Sequence, residues 1–225
     1  MTAGDGGGLG PALAPGPDDL QGETVRLTRP DPQRHVDDVY PATHGEPTAE
    51  AVWTYMAYGP FAGAAAMGDW MAERAASRDP LFFTVTDRAS GRALGMTSYL
   101  NIRPAMGTIE IGNIWYVPAA QRTRVNTESC LLLMRHAFED LGYRRVEWKC
   151  DALNARSRAA AQRLGFTFEG TFRQHMIIKG RNRDTAWFAM LNGEWPERRA
   201  RLEEQLARAA LIPPTPEARS PRRGP

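Results

Sequence analysis

The feature that most limits what this chain can become is a junction near its middle. "TIEIGNIWYVP" (Thr108–Pro118) alternates as a strand and runs into "VPAAQRTRVNTE" (Val117–Glu128), a turn without glycine. Cys130, Met134, Ala137 and Leu141 then mark one apolar helix face, with Leu131 and Phe138 beside it. Gly142 stops that helix, and "RRVEWKCDAL" (Arg144–Leu153) starts another strand. Strand, loop, helix and strand in that order call for a mixed α/β domain. A helix N-terminus presents unpaired N–H groups and the positive end of the macrodipole, so the junction is a prepared anion site. Arg122 and Arg124 add charge there, and Thr123, Asn126 and Thr127 add hydrogen bonds or caps. It is neither a GxxxxGK[ST] loop nor a GxGxxG turn. Spacing alone leaves a plain capped helix start equally open.

The remaining pattern fills out one domain over residues 19–211. "ETVRLTRP" (Glu23–Pro30) reads as the first strand. Asp31 as N-cap and Pro32 at the first position open a helix to about Thr43. "AVWTYMAYGPF" (Ala51–Phe61) is a dense aromatic stretch closed by Gly59-Pro60, and Gly63–Ser77 has helical spacing at Met67, Trp70, Met71 and Arg74. Strands Leu81–Asp87 and Arg92–Pro104 are joined by a turn at Ser90-Gly91. "NARSRAAAQRLG" (Asn154–Gly165) is a short helix with an Asn cap and a Gly stop. Phe166–Leu191 reads as long strands turning at Gly180-Arg181-Asn182. The charged helix Glu197–Leu211 places Leu202 and Leu206 four apart, to meet either its own domain or a second subunit, so monomer and homodimer both stay open. The Gly/Pro/Ala-rich residues 1–18 and the Pro/Arg-rich residues 212–225 read as disordered tails.

Composition excludes several classes. At 42% hydrophobic and 24% charged, the chain has the makeup of a globular domain. A net charge of +2, with no basic stripe carrying interleaved aromatics, gives no support to nucleic acid as a partner. Among the basic residues only Lys149 and Lys179 are lysines, a bias toward bidentate anion contacts that base composition explains equally well. Cys130 and Cys150 form no CxxC pair, so neither a disulfide framework nor a metal site is expected. No apolar run is long enough to span a membrane and no signal peptide is apparent, so a cytoplasmic protein without a membrane partner is expected.

Taken in order, the strand, "QRTR" loop, helix and strand, followed by "NARSRAAAQRLGFTFEG", resemble the GCN5-related N-acetyltransferases. More narrowly, the chain is similar to the branch that acetylates ribosomal-protein N-termini and related small amines; "WTYMAYGPF", "KGRNRDTAWF" and Glu194–Pro196 look like that branch too. The resemblance covers about Glu23 to Leu211. It implies an α/β fold with a mixed, mostly antiparallel sheet of about seven strands flanked by helices, and acetyl-CoA as acyl donor. The family's cofactor motif has the form (Gln/Arg)-x-x-Gly-x-(Gly/Ala). Gln121 and Arg122 match its start, whereas Arg124 and Asn126 stand at its small-residue positions. Either the loop needs no positive φ there or the cofactor sits farther out. The implied cofactor contacts are Tyr116, Val117, Gln121, Arg122, Thr123, Arg124, Val125, Asn126, Thr127, Asn154, Ser157 and Arg158.

Amine acetylation needs a neutral amine, a polarised thioester carbonyl and a proton for the leaving thiolate. In the family a splayed strand serves the carbonyl; here that strand is Thr108–Val117, where Gly112-Asn113 interrupts the alternation as a bulge would. Glu110, among apolar neighbours in "IEIG", is the first candidate for the base, against a strand carboxylate facing solvent or paired with an arginine. Glu147 and His175 are weaker candidates. Many relatives place a tyrosine where this chain has Ala161, which leaves Ser157 to contact the thiol sulfur or merely to hydrogen-bond at the helix start. The cysteines read as buried core rather than nucleophiles. Trp53, Tyr55, Tyr58, Phe61, Trp115 and Tyr116 either wall an acceptor pocket or form core, His175 is a further acceptor contact, and Asp184 either holds an ammonium or caps a turn. The expected reaction is direct transfer, in a ternary complex, to a small-molecule primary amine such as an amino acid derivative or antibiotic. A ribosomal or other protein N-terminus is the near alternative; a non-catalytic acyl-CoA-binding module and a longer-chain acyltransferase are the others.

Overall fold

The computed structural model describes residues 10–210. In chain order they form β1 (Leu20–Gln21), β2 (Val25–Thr28), α1 (Pro32–Thr43), α2 (Pro47–Glu50), a 3₁₀ turn (Ala51–Trp53), α3 (Ala64–Ala76), β3 (Leu81–Asp87), β4 (Ala93–Arg103), β5 (Thr108–Tyr116), α4 (Val125–Arg135), β6 (Arg145–Asp151), α5 (Ala155–Arg163), β7 (Thr167–Ile178), β8 (Arg181–Leu191) and α6 (Trp195–Ala210). Local chemistry explains the boundaries. Asp31 accepts a hydrogen bond from the Gln33 N–H at 3.0 Å, and Pro32 has no N–H to satisfy. Asn154 Oδ1 likewise accepts from the Ser157 N–H at 3.1 Å, and Gly165 beyond α5 takes φ 94°. Past Arg135 the helix widens into a π turn over His136–Asp140 before Gly142 turns the chain at φ 74°.

One sheet holds all eight strands in the order β1-β2-β3-β4-β5-β6-β8-β7. Every neighbouring pair is antiparallel except β5 and β6. That parallel pair is held by three positions only: Thr108 opposite Arg145, Ile109 opposite Val146, and Glu110 opposite Glu147. Beyond Glu110 the two strands part. On its other side β5 continues along β4, with a bulge at which Asn113 adopts φ 52° and donates from Nδ2 to Ser98 Oγ at 2.9 Å. The added eighth strand is the two-residue β1, which precedes the expected Glu23–Pro30 strand, observed as Val25–Thr28, and pairs antiparallel with it.

Ile109 and Ile111 of β5 join Val146, Trp148 and Cys150 of β6 and Cys130, Leu131 and Leu133 of α4 in the apolar core. α6 adds Leu202 and Leu206, both buried, and packs on α4. The Trp195 indole also donates to Glu139 Oε1 at 2.6 Å. Both leucines therefore meet their own domain. The β7–β8 turn falls at Lys179-Gly180 (φ 49° and 72°), one residue earlier than expected, and Arg181 and Asn182 already pair in the ladder. Both tail expectations lie outside the described residues.

Candidate active site

Where β5 and β6 part, their facing edges carry peptide groups with no strand partner. The α4 N-terminus closes one end of this opening. Among the described residues, the N–H groups of Arg122, Thr123, Arg124, Asn126 and Thr127 donate to no protein atom. Thr123 Oγ1 accepts the Val125 N–H at 3.3 Å and donates to Ala120 O at 2.7 Å. Gln121 Nε2 donates to Tyr116 O at 3.0 Å, tying the loop to the end of β5. Positive φ occurs at Arg122 (61°), and Arg124 is helical (φ −67°), so neither small-residue position needs a left-handed backbone. This cluster of donors fits a diphosphate. Val117 and Val125 are buried around it, and Asn126 is half-buried.

Arg122 is exposed at the loop, but the Arg124 side chain turns elsewhere. Its guanidinium reaches Glu23 at 2.7 Å and Glu128 at 3.3 Å. Glu128 is itself buried and accepts from Thr24 N at 2.8 Å and Thr24 Oγ1 at 2.5 Å. The charge expected of Arg124 toward an anion is thus spent on a brace between the α4 N-terminus and the β1–β2 turn.

At the closed end of the opening stands Glu110, 4% exposed. The expectation of apolar surroundings needs correcting. Lys149 Nζ lies 2.8 Å from its Oε2, and Asn101 Nδ2 donates to the same oxygen at 2.7 Å. Burial pushes the carboxyl above its usual range, and Lys149 opposes that rise. Glu147 lies on the same face but is shared by Arg145 at 2.9 Å and Lys149 at 3.2 Å. Lys149 also stands 3.7 Å above the Trp187 ring.

On the other side of β6, Ser157 Oγ accepts the Trp148 indole N–H at 3.0 Å. With that nitrogen as the donor, the hydroxyl proton points away from Trp148, and the Cys150 thiol is its neighbour. Asn154 serves as the α5 cap and Arg158 donates to Ala152 O at 3.3 Å, so both shape the start of α5. Ala161 is fully buried. Burial pushes the Cys130 thiol up to about 12 and also raises that of Cys150.

The aromatics divide. Trp53 and Trp115 are 1% and 3% exposed, with ring centroids 4.9 Å apart, and Tyr58 packs tilted against Trp70 at 4.3 Å. With Phe61 these are core, which corrects their reading as pocket walls. Tyr116 is buried as well. Tyr55 differs: its hydroxyl donates to Leu153 O at 3.2 Å. Lys179 Nζ donates to Trp53 O at 2.9 Å and Arg181 to Thr54 O at 3.3 Å. The segment Trp53–Tyr55 therefore runs as a strap from Trp115 at the end of β5 to Leu153 beyond β6 and on to the β7–β8 tip. His175, carried on a bulge of β7, bonds Thr185 Oγ1 through Nδ1 at 3.0 Å and lies 6.0 Å from Trp187. Asp184 is occupied by Gln174 N and Asn182 Nδ2, as a turn cap would be. Sequence reasoning missed Lys149, Asn101 and Trp187; strand alternation, which places Glu147 and Lys149 on one face of β6, was the available signal.

A second cleft of about 670 Å³ lies at the β1–β3 edge, but three of its four arginines are engaged, Arg26 with Asp19, Arg29 with backbone carbonyls and Arg88 with Gly22 O, while Arg34 is exposed. Among the described residues no cluster of His, Cys, Asp and Glu could hold a metal, and no helix is long and apolar enough to cross a membrane.

Comparison with known proteins agrees with this architecture. A crystal structure of a GCN5-related N-acetyltransferase from Brucella melitensis is 43% identical, with a TM-score of 0.84, covering 88% of this chain and 89% of that one. A probable acetyltransferase of the GNAT family from Chromobacterium violaceum is 42% identical, with a TM-score of 0.77, covering 87% and 96%. The "Putative ribosomal N-acetyltransferase YdaF" of Bacillus subtilis is 31% identical over 105 residues, which are 47% of this chain and 57% of that relative's length. Residues 24–167 match the model of the acetyltransferase (GNAT) domain. The chain belongs to the GNAT family of acetyltransferases.

Proposed function

We propose that this protein is an acetyl-CoA-dependent N-acetyltransferase acting on the primary amine of a small molecule. The opening between β5 and β6 carries the reading, with unbonded N–H groups at one end and a buried carboxylate at the other. Bound there, acetyl-CoA supplies the activated acetyl group. The N–H groups from Arg122 to Thr127 hold its diphosphate, with Arg122 adding charge, and the unpaired edge of β5 faces its pantetheine arm and thioester. Tyr116, Val117 and Gln121 set the direction in which the loop leaves β5.

Glu110 takes the proton that the amine loses. Both of its protein partners hold Oε2, so Oε1, next to Gly112, is the oxygen available to an acceptor. Ser157 donates a hydrogen bond to the sulfur as the C–S bond breaks, its oxygen being already oriented by Trp148, and the thiolate takes its proton from solvent. Proximity of amine and thioester contributes the rest. His175 and Tyr55 border the acceptor space, and the strap favours a small acceptor by closing one face of its mouth. A protein N-terminus is the second reading, favoured by the name that the Bacillus subtilis relative carries.

Calorimetric titration with acetyl-CoA, followed by CoA release against small primary amines and basic N-terminal peptides, tests both. We expect binding with a Kd of about 1 μM, equivalent to about 8 kcal/mol, and release driven by one small-amine class. Release driven only by peptides moves the acceptor to proteins, and no binding of acetyl-CoA refutes the whole assignment.

A further inference from the structure

Lys149 stands out among residues that no role has yet absorbed. Only two lysines occur in the sequence, and this one, largely buried, points into the closed end of the β5–β6 opening. Its ammonium has three neighbours: Glu110 Oε2 at 2.8 Å, Glu147 Oε2 at 3.2 Å and the face of Trp187 at 3.7 Å. Each comes from a different place in the sheet, on β5, β6 and β8, so the amine is fixed from three directions. Asn101 reaches the same Glu110 oxygen from β4.

The result is an asymmetric carboxylate. Oε2 has two donors, whereas Oε1 has none among the described residues and lies 3.6 Å from the position a Cβ would take on Gly112, beside the β5 bulge. We propose that Lys149 is a positioning residue for acetyl transfer: with Asn101 it grips one oxygen of Glu110 and leaves the other free for the acceptor amine. The proposal rests on Glu110 acting as the base.

The charge of Lys149 matters as well as its geometry. Glu110 is desolvated, and an unpaired carboxylate there would already hold a proton and could not take one from the amine. The charged groups facing it are Lys149 and Glu147, with Arg145 on the far side of Glu147 and Glu169 paired to Arg145 at the β7 edge; Asn101 and Trp187 complete the surroundings. Lys149 lowers the affinity of Glu110 for a proton and Glu147 raises it. Removing each should therefore move the titration of Glu110 in opposite directions, a signature that mere packing does not produce.

The test is carbon-13 NMR of full-length protein labelled at the glutamate carboxyl carbons, with the Glu110 resonance identified by its loss in Glu110→Gln. Lys149→Met should raise the Glu110 midpoint by about one to three pH units. Glu147→Gln should lower it, and Lys149→Arg, which retains the charge and the stacking on Trp187, should leave it near the native value. An unchanged midpoint in Lys149→Met, or shifts of the same sign in Lys149→Met and Glu147→Gln, overturns the proposal. The amine found by the CoA-release screen supplies the second arm. The acid limb of kcat/KM should follow the NMR midpoint in each variant, whereas full turnover in Glu110→Gln refutes the base assignment itself, even with the NMR shifts intact.

Discussion

Glu128 offers the most direct way to separate structural from cofactor roles at the α4 N-terminus. Its carboxylate is 3% exposed and holds Thr24 through the backbone N–H (2.8 Å) and the hydroxyl (2.5 Å), with Val25 N–H farther off at 3.4 Å. Arg124 faces it at 3.3 Å. Each hydrogen bond to a charged group contributes about 1.5–3 kcal/mol. Two good bonds bound the loss at about 3–6 kcal/mol, and rehydration of the partly exposed Thr24 and Arg124 brings the expectation for Glu128→Ala to about 3–4 kcal/mol. Glu128→Gln should lose about 2 kcal/mol, because its amide donors confront donors on Thr24. Urea unfolding followed by tryptophan fluorescence reads this out. With a slope near 2.5 kcal/mol per molar, the Ala variant should unfold about 1.2–1.6 M earlier. The same brace holds the loop whose N–H groups face the diphosphate, so acetyl-CoA affinity should fall in both variants. A stability loss under about 1 kcal/mol in Glu128→Ala would show that these bonds merely replace equivalent ones to water, and the reasoning would fail.

Other expectations follow from the same geometry. Arg124→Ala should weaken stability by about 1–2 kcal/mol, and Arg124→Lys should restore acetyl-CoA affinity only in part, as measured by calorimetry, because the guanidinium braces Glu23 and Glu128 rather than the ligand. Ser157→Ala should lower kcat by about 10- to 100-fold, the loss of one hydrogen bond to a charged group, with acetyl-CoA affinity unchanged; equal turnover would make Ser157 a helix-start hydrogen-bonder only. Combining Tyr55→Phe with Lys179→Met removes two bonds of the strap and should raise KM for a small amine by about tenfold while admitting bulkier ones, a shift visible in the amine screen. Leu202→Ala should cost about 2–4 kcal/mol in urea unfolding, because that side chain is 1% exposed beneath α6.

Much of the fold was legible because its boundaries are written in local chemistry. Asp31-Pro32 and Asn154 cap helices, and Gly142 and Gly165 end them at positive φ, all where the residue types said they should. The β7–β8 turn was misplaced because Gly180 drew the reading forward, while Lys179 takes φ 49° with no residue type to announce it. The site was less legible. A tryptophan on a core face and one on a pocket wall look alike in sequence, and only packing assigned Trp53 and Trp115 to the core. Arg124 was read as free charge because Glu23 and Glu128 become its neighbours only once β1 and β2 fold against α4. The pairing of Glu110 with Lys149 depends on the register between two parallel strands joined by a helix, a long-range quantity that neither strand's pattern contains.

The short parallel ladder has a mechanical meaning. Strands β1 to β5 and strands β6, β8 and β7 form two plates of one sheet, joined along their seam by three residue pairs at one end. A seam stitched only at its base can flex about that base, and the peptide groups beyond it are rungs awaiting a partner. A molecule lying between β5 and β6 would supply those rungs and lock the plates at a fixed angle. Hydrogen exchange along 111–116 and 148–151 should then slow together on acetyl-CoA binding, as two plates become one stiff sheet.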